Sequence, residues 1–191
     1  MINQEEYDNK AKSYKMLLWF GMISVVMMFA GFTSAYVISK SRPDWLSDFT
    51  MPNAFLISTL VMIVSSITFH LAVKAIKQNN LRNTSLMLWI TLVLGVTFVG
   101  LQFVGFAQVI DSGLYFTGSE STITTSFLYI VVIVHLAHLF GGLVSLLIVI
   151  YNHYKQKYNA AQHVGIELSA TFWHFLDFLW LYLFLFFSFY K

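Results

Sequence analysis

His174 and Asp177 stand one helical turn apart on the last apolar stretch of the chain. That spacing lets an imidazole and a carboxyl hydrogen-bond on one helix face. Glu167 and His163 extend the same stripe toward the N-terminal end. With Glu167 at zero and about 100° per residue, His163 falls at roughly −40°, His174 at roughly −20° and Asp177 at roughly −80°. Three chemistries are open to such a cluster: a structural His–Asp pair that pins its helix, handling of protons or lipid headgroups, and ligation of a metal or haem. Trp173 and Trp180, seven apart, share a neighbouring stripe.

His135 and His138, at i and i+3, share a face of the preceding stretch and are followed by Gly141, Gly142 and Ser145. Two imidazoles so placed could bind a metal if Asp177 or Glu167 on a partner helix supplied further ligands. Without such ligands they bond to neighbouring helices. Gly141 and Ser145 form a small-residue pair that permits close helix approach, as do Gly31 with Ala35 and Ala54 with Ser58. Gln102 is a lone amide in an apolar stretch, which predicts an interhelical hydrogen bond. Ser65, Ser66 and Thr68 can bond their own preceding turn and so carry little information. His70, near a basic end, reads as interfacial. The sequence shows no Gly-rich phosphate loop, no nucleophile elbow, no His-Glu-x-x-His and no run of intramembrane Lys or Arg. The polar residues therefore predict a seam between the fourth and fifth helices.

The elements that position these residues follow from composition. Of 191 residues, 58% are hydrophobic and 10% charged, whereas a soluble domain carries roughly 25% charged residues. The hydrophobicity excludes a disordered chain. The lack of Cys excludes a disulfide scaffold and thiolate metal sites. A net charge of +2 is too small to point to nucleic acid. An integral membrane protein remains.

A membrane-spanning helix needs about 20 mostly apolar residues. Five such runs occur, at approximately 16–39, 54–75, 86–110, 126–151 and 165–189, none with an interior Pro. The fold class expected is an all-α bundle of five transmembrane helices forming a single membrane domain over 1–191. The short loops suit antiparallel neighbours. Pro43 and Pro52 bracket the first loop, and Pro52 suits the start of the second helix. Asn83 or Thr84 is the expected N-cap of the third. The first run is longer than a signal's apolar core, and Ser39, Lys40 and Ser41 after it make no cleavage site.

Basic residues set the expected orientation. Lys10, Lys12, Lys15, Lys74, Lys77, Arg82, Lys155 and Lys157 fall on one side, and Lys40, Arg42 and Lys191 on the other. The third loop carries Asp111 and Glu120 and no basic residue. This places the N-terminus inside and the C-terminus outside.

The segment from His135 to Gly142 resembles the H-x-x-H-x-x-x-G segment of haem–copper oxidase subunit III. His163, Gly165 and Glu167, followed by Trp173, His174, Phe175, Asp177 and Trp180, are similar to that family's last helix almost position by position. The W-H-F-x-D-x-x-W string is specific. Leu94, Gly95, Phe98 and Gln102 resemble the third helix, Ser65, Ser66 and Thr68 the second, and Tyr14, Met16 and the segment 24–32 the first. Many members carry a membrane Glu where this chain has Val25, and Glu-Tyr where it has Gly105 and Phe106, so carboxylate roles at those sites are not open to it. The long forms have two further N-terminal helices, and the resemblance is to the five-helix bacterial form.

The resemblance implies a non-redox subunit of a proton-pumping terminal oxidase in the bacterial cytoplasmic (inner) membrane. It implies that haem and copper belong to subunits I and II, which would be the partners, and that the assembly could extend to a respiratory supercomplex. It also implies bound phospholipid and support of proton uptake, with cytochrome c as electron donor. The alternatives are a quinol oxidase subunit III, a haem-b membrane protein with His70, His135, His138 or His174 as ligands, and a small proton-coupled transporter.

Overall fold

The computed structural model describes residues 4–42, 45, 51–116, 118, 122–160 and 162–190. Pro43, Glu120 and Lys191 lie outside the described residues. Five helices follow one another: α1 (Gln4–Ile38), α2 (Asn53–Lys77), α3 (Leu81–Asp111), α4 (Ile123–Tyr154) and α5 (Val164–Phe189), with one 3-10 turn, Ser39–Ser41, after α1. All five are long and apolar enough to cross a membrane. They run past the apolar stretches that announce them. α1 starts twelve residues earlier than hydropathy alone indicates, because the segment from Gln4 to Lys15 is rich in Glu and Lys and contains no Gly or Pro to stop a helix. Its 35 residues extend about 50 Å, well beyond a hydrocarbon core of about 30 Å.

Local chemistry fixes the ends. Pro52 precedes α2, and the Ala54 N–H donates to the Gln108 side chain at the far end of α3 (3.4 Å). α2 turns into α3 through Gln78, Asn79 and Asn80. Asn79 takes a left-handed conformation, φ 56°, which Asn tolerates better than most residues. Asn80, rather than Asn83 or Thr84, is the N-cap of α3 and accepts the Asn83 N–H at 3.2 Å. One residue position decides this: the cap must lie before the tight turn closes, and Asn83 is already in the helix. Thr122 caps α4 in a reciprocal box with Thr125.

α2 and α3 form the most intimate pair, α5 lies against α2 and α4, and α1 packs on α5 and α4. Phe29, Phe55, Phe98, Trp173 and Trp180 are fully buried at the centre. The outward faces are largely apolar, with Leu17, Met27, Val93, Phe103 and Phe178 each more than half exposed, as lipid contact requires.

Trp173 needs glycine on two neighbours. A Cβ at Gly95 of α3 would lie 2.7 Å from its ring, and one at Gly142 of α4 would lie 3.4 Å from the ring and 3.0 Å from Leu176. The close approach on α4 is thus at Gly142. Gly141, the expected contact, would meet nothing within 4 Å, and neither would Gly31. Both face outward from the bundle. Gly95→Ala is therefore expected to destabilise the bundle by about 1–2 kcal/mol, since overpacking a rigid buried ring costs in that range. Gly100→Ala, where an added methyl meets nothing, is expected to be neutral or to stabilise by up to about 1 kcal/mol through helix propensity. Thermal unfolding of the two variants in detergent checks the pair; equal midpoints would remove the packing role assigned to Gly95.

Candidate functional site

One face of α2 carries five hydroxyls, Ser58, Thr59, Ser65, Ser66 and Thr68, and each meets a polar group of another helix. Gln102 Nε2 of α3 donates to Ser58 Oγ (2.9 Å). From α5, Trp180 Nε1 donates to Thr59 Oγ1 (3.0 Å) and Trp173 Nε1 to Ser65 Oγ (3.1 Å). Ser66 Oγ and His174 Nδ1 share a 2.6 Å hydrogen bond. Thr68 Oγ1 and Thr91 Oγ1 of α3 share one of 2.8 Å. Ser58, Thr59 and Thr68 also donate to the preceding turn of their own helix, so those oxygens are free to accept. The interhelical bond expected of Gln102 is present. The seam itself lies between α2 and α5, with α3 alongside, and not between α4 and α5. Between α4 and α5, Ser145 Oγ donates to Ser169 Oγ at 2.9 Å.

The α2 hydroxyls escaped the sequence reading because each one alone looks locally satisfied. Their spacing was the available signal: 58, 59, 65, 66 and 68 all fall on one face at 3.6 residues per turn. A helix with five hydroxyls on one face presents acceptors to its neighbours.

His135 and His138 of α4 do not form the interhelical bonds expected of them. His135 is completely buried and lies among Phe29, Phe98 and Trp180, with ring centroids 6.5, 6.2 and 5.2 Å away. Neither of its ring nitrogens has a partner among the described residues. His138 Nδ1 lies 2.8 Å from the carbonyl of Val134, on its own helix. Asp177 and Glu167 do not join the pair: among the described residues no three His, Asp or Glu side chains converge as a metal site would require.

His174 and Asp177 also part company. His174 turns to Ser66, and both carboxyl oxygens of Asp177 are buried without a hydrogen-bond partner among the described residues. Asp177 lines a groove of about 300 Å³ with Thr59, Ser66, His174 and Trp180.

At the start of α5 the geometry is ionic. Glu167 lies 2.7 Å from Lys77 Nζ, 3.1 Å from Lys15 Nζ and 3.2 Å from His163 Nε2. One carboxylate thus ties the first turn of α5 to the last turn of α2 and to Lys15 within α1. It sits in the first turn of α5, where the exposed N–H groups favour an anion. Sequence reasoning placed Glu167 and His163 at this end but missed both lysines. The signal was present, since Lys15 and Lys77 belong to the basic set assigned to the same side. Glu167 and Lys15 border a second groove, of about 340 Å³, with Trp19, His70 and His174. His70 and His174 have ring centroids 6.3 Å apart there, so His70 is part of the groove wall.

The two departures in α3 are closed by packing. A Cβ at Gly105 would lie 2.8 Å from the Phe55 ring, and Phe106 stacks on Tyr129 at 5.1 Å. Val25 is half-buried against the core.

Residues 8–191 match the family model described as cytochrome c oxidase subunit III. The chain is similar to cytochrome c oxidase subunit 3 of Thermostichus vulcanus, with 30% identity over 85% of this chain and 80% of that protein. The protein of the same name from Alkalihalophilus pseudofirmus is 27% identical over 87% of this chain and 81% of its own length. That of Loxodonta africana is 31% identical over 88% of this chain and 67% of its own.

Proposed function

The chain belongs to the cytochrome c oxidase subunit III family, and from that premise we propose that it is the non-redox third subunit of a proton-pumping, cytochrome c-oxidising haem–copper oxygen reductase. It acts as one membrane unit over residues 1–191. Its partners are subunits I and II, which hold the haem and copper, and the membrane is the bacterial cytoplasmic membrane. The N-terminus lies inside and the C-terminus outside. The subunit stabilises subunit I, orders phospholipid, and supports proton uptake at the inner surface.

The observation that carries this reading is the ordered match over residues 8–191 together with α2 hydroxyls whose interhelical partners lie inside the chain. Ser58, Thr59, Ser65 and Thr68 have their partners on α3 and α5, so these hydroxyls need no partner outside the chain, and the outward surface is largely apolar. Such a surface suits seating against other helices and lipid. Lys15 of α1 and Lys77 at the end of α2, gathered on Glu167, support placing this side of the bundle at the inner surface. The arrangement of His135 and His138 gives no reason to assign a redox centre to this chain.

Full-length tagged chain, extracted in mild detergent, is expected to co-purify in equal amounts with a many-helix subunit that carries the haem absorbance. After separation from that subunit, the chain itself is expected to show no Soret band. A free monomer in mild detergent, or stoichiometric haem on the separated chain, would overturn the assignment.

A further inference from the structure

The α2–α5 seam bonds its polar groups across the two helices: Trp173 to Ser65, Trp180 to Thr59 and His174 to Ser66. Asp177 is the exception. Both of its carboxyl oxygens are buried and have no hydrogen-bond partner among the described residues. His135 is also without one, but the rings of Phe29, Phe98 and Trp180 enclose it. Asp177 instead lines the groove of about 300 Å³ between α2 and α5. The rim of that groove faces out of the bundle: Ile63, Ile67 and Phe178, which also line it, are 43%, 56% and 72% exposed.

A carboxyl taken out of water without a hydrogen bond is costly, and the cost is removed when a donor reaches it. Here the donor must come from the groove side, and depth limits what can bring it. Asp177 lies thirteen residues after Val164 and twelve before Phe189, about 18 Å from either end of α5. In a hydrocarbon core about 30 Å thick that position is close to the midplane. A lipid headgroup stays at the interface, and an acyl chain has nothing to donate. A side chain on another transmembrane helix can supply the bond at that depth. The rim fits such a contact. Apolar residues of α2 and α5 flank one polar point, so a helix laid along them packs its own apolar face and inserts a single polar side chain.

We propose that the α2–α5 groove is the docking face for a transmembrane helix of a partner subunit, which places a hydrogen-bond-donating side chain on the Asp177 carboxyl. Such docking rests on the assembly with other membrane subunits put forward above, and adds which face is used and what the partner helix carries. It also gives Asp177 opposite roles in two states. In the complex the carboxyl holds the partner; in the separated chain it is a buried polar group without a bond.

The test uses the full-length chain in its complex, in native membranes, with a photoreactive phenylalanine analogue in place of Phe178. Irradiation is expected to give a protein adduct, and peptide mapping to place it on a transmembrane segment of a different chain that bears a donor side chain. Asp177→Leu is expected to lower both the adduct and the partner retained after a detergent wash about tenfold, the effect of one lost buried hydrogen bond. Asp177→Asn, which keeps an acceptor oxygen, is expected to retain most of both. Thermal unfolding of the separated chain supplies the readout that a purely structural role would not give. There Asp177→Leu is expected to unfold at or above the parent's midpoint, since an apolar group in place of an unpartnered polar one is neutral or stabilising. An adduct confined to lipid or to a second copy of this chain, partner retention unchanged by Asp177→Leu, or a lower midpoint for the separated Asp177→Leu chain would each overturn the docking face and leave the assembly itself standing. A parent chain without any partner in mild detergent would overturn both.

Discussion

Trp173→Ala is expected to destabilise the bundle by about 3 kcal/mol or more, the range found when a buried Trp is cut to Ala. The side chain is completely buried, rests in the notches left by Gly95 and Gly142, and packs against Phe69 at 6.2 Å. In lipid the loss is one of packing contacts rather than of transfer from water, because the surroundings are as apolar as the core. The hydrogen bond to Ser65 is a smaller part. Trp173→Phe keeps most of the ring and gives up that bond, so it is expected to cost about 1 kcal/mol. Thermal unfolding in detergent distinguishes the two. If Trp173→Ala unfolds within about 1 kcal/mol of the parent, the three-helix junction at Trp173 is not what holds α5 in place.

The second large effect is expected at Glu167. Replacement by Leu strands Lys15, Lys77 and His163 together, since all three lie within ion-pair distance of the same carboxylate. Both lysines are about half exposed, at 51% and 50%, and can rehydrate, which holds the expected cost to about 2 kcal/mol. Salt provides the signature. Stability of the parent should fall as ionic strength rises, because screening weakens the three contacts, while Glu167→Leu should show little further dependence. Parallel salt curves for the two proteins would mean that the carboxylate does not tie the helix ends together.

The five helices were legible because length and apolarity alone decide whether a stretch can span a bilayer, and the two prolines sit between stretches. The ends were less so. The charged segment from Gln4 to Lys15 has the propensity of a helix but none of the hydropathy, so a reading by hydropathy stops at the membrane. Gln102 could be read as an interhelical donor because a lone amide in lipid has few other fates. His135 misled for the complementary reason. An imidazole in a helix centre invites a ligand or a hydrogen bond, but three aromatic side chains from three helices enclose it, and their convergence is tertiary information. The same holds for His174. Its spacing to Asp177 is a property of one helix, while its bond to Ser66 depends on how α2 is rotated against α5. Side chains on one helix can be aligned from sequence; choosing between an i+3 neighbour and a hydroxyl on another helix requires the packed structure.

α1 packs on α5 and α4, the two helices furthest from it in sequence, and this sets the order in which the protein can be made. During synthesis α2 and α3 are joined by three residues and can close as a hairpin at once, with the Ser58–Gln102 and Thr68–Thr91 bonds formed inside it. α1 must stay in the bilayer until the last helix leaves the insertion machinery. It is suited to that wait: Met22, Phe29 and Tyr36 are the apolar residues of its inner stripe, and the Thr33 hydroxyl donates to the Phe29 carbonyl of its own helix. The Lys15 contact forms only once Glu167 has emerged, so the first helix made is among the last to be seated. A chain ending before α5 should retain the hairpin and leave α1 with α4 as its remaining support, a form that quality-control proteases in the membrane can recognise.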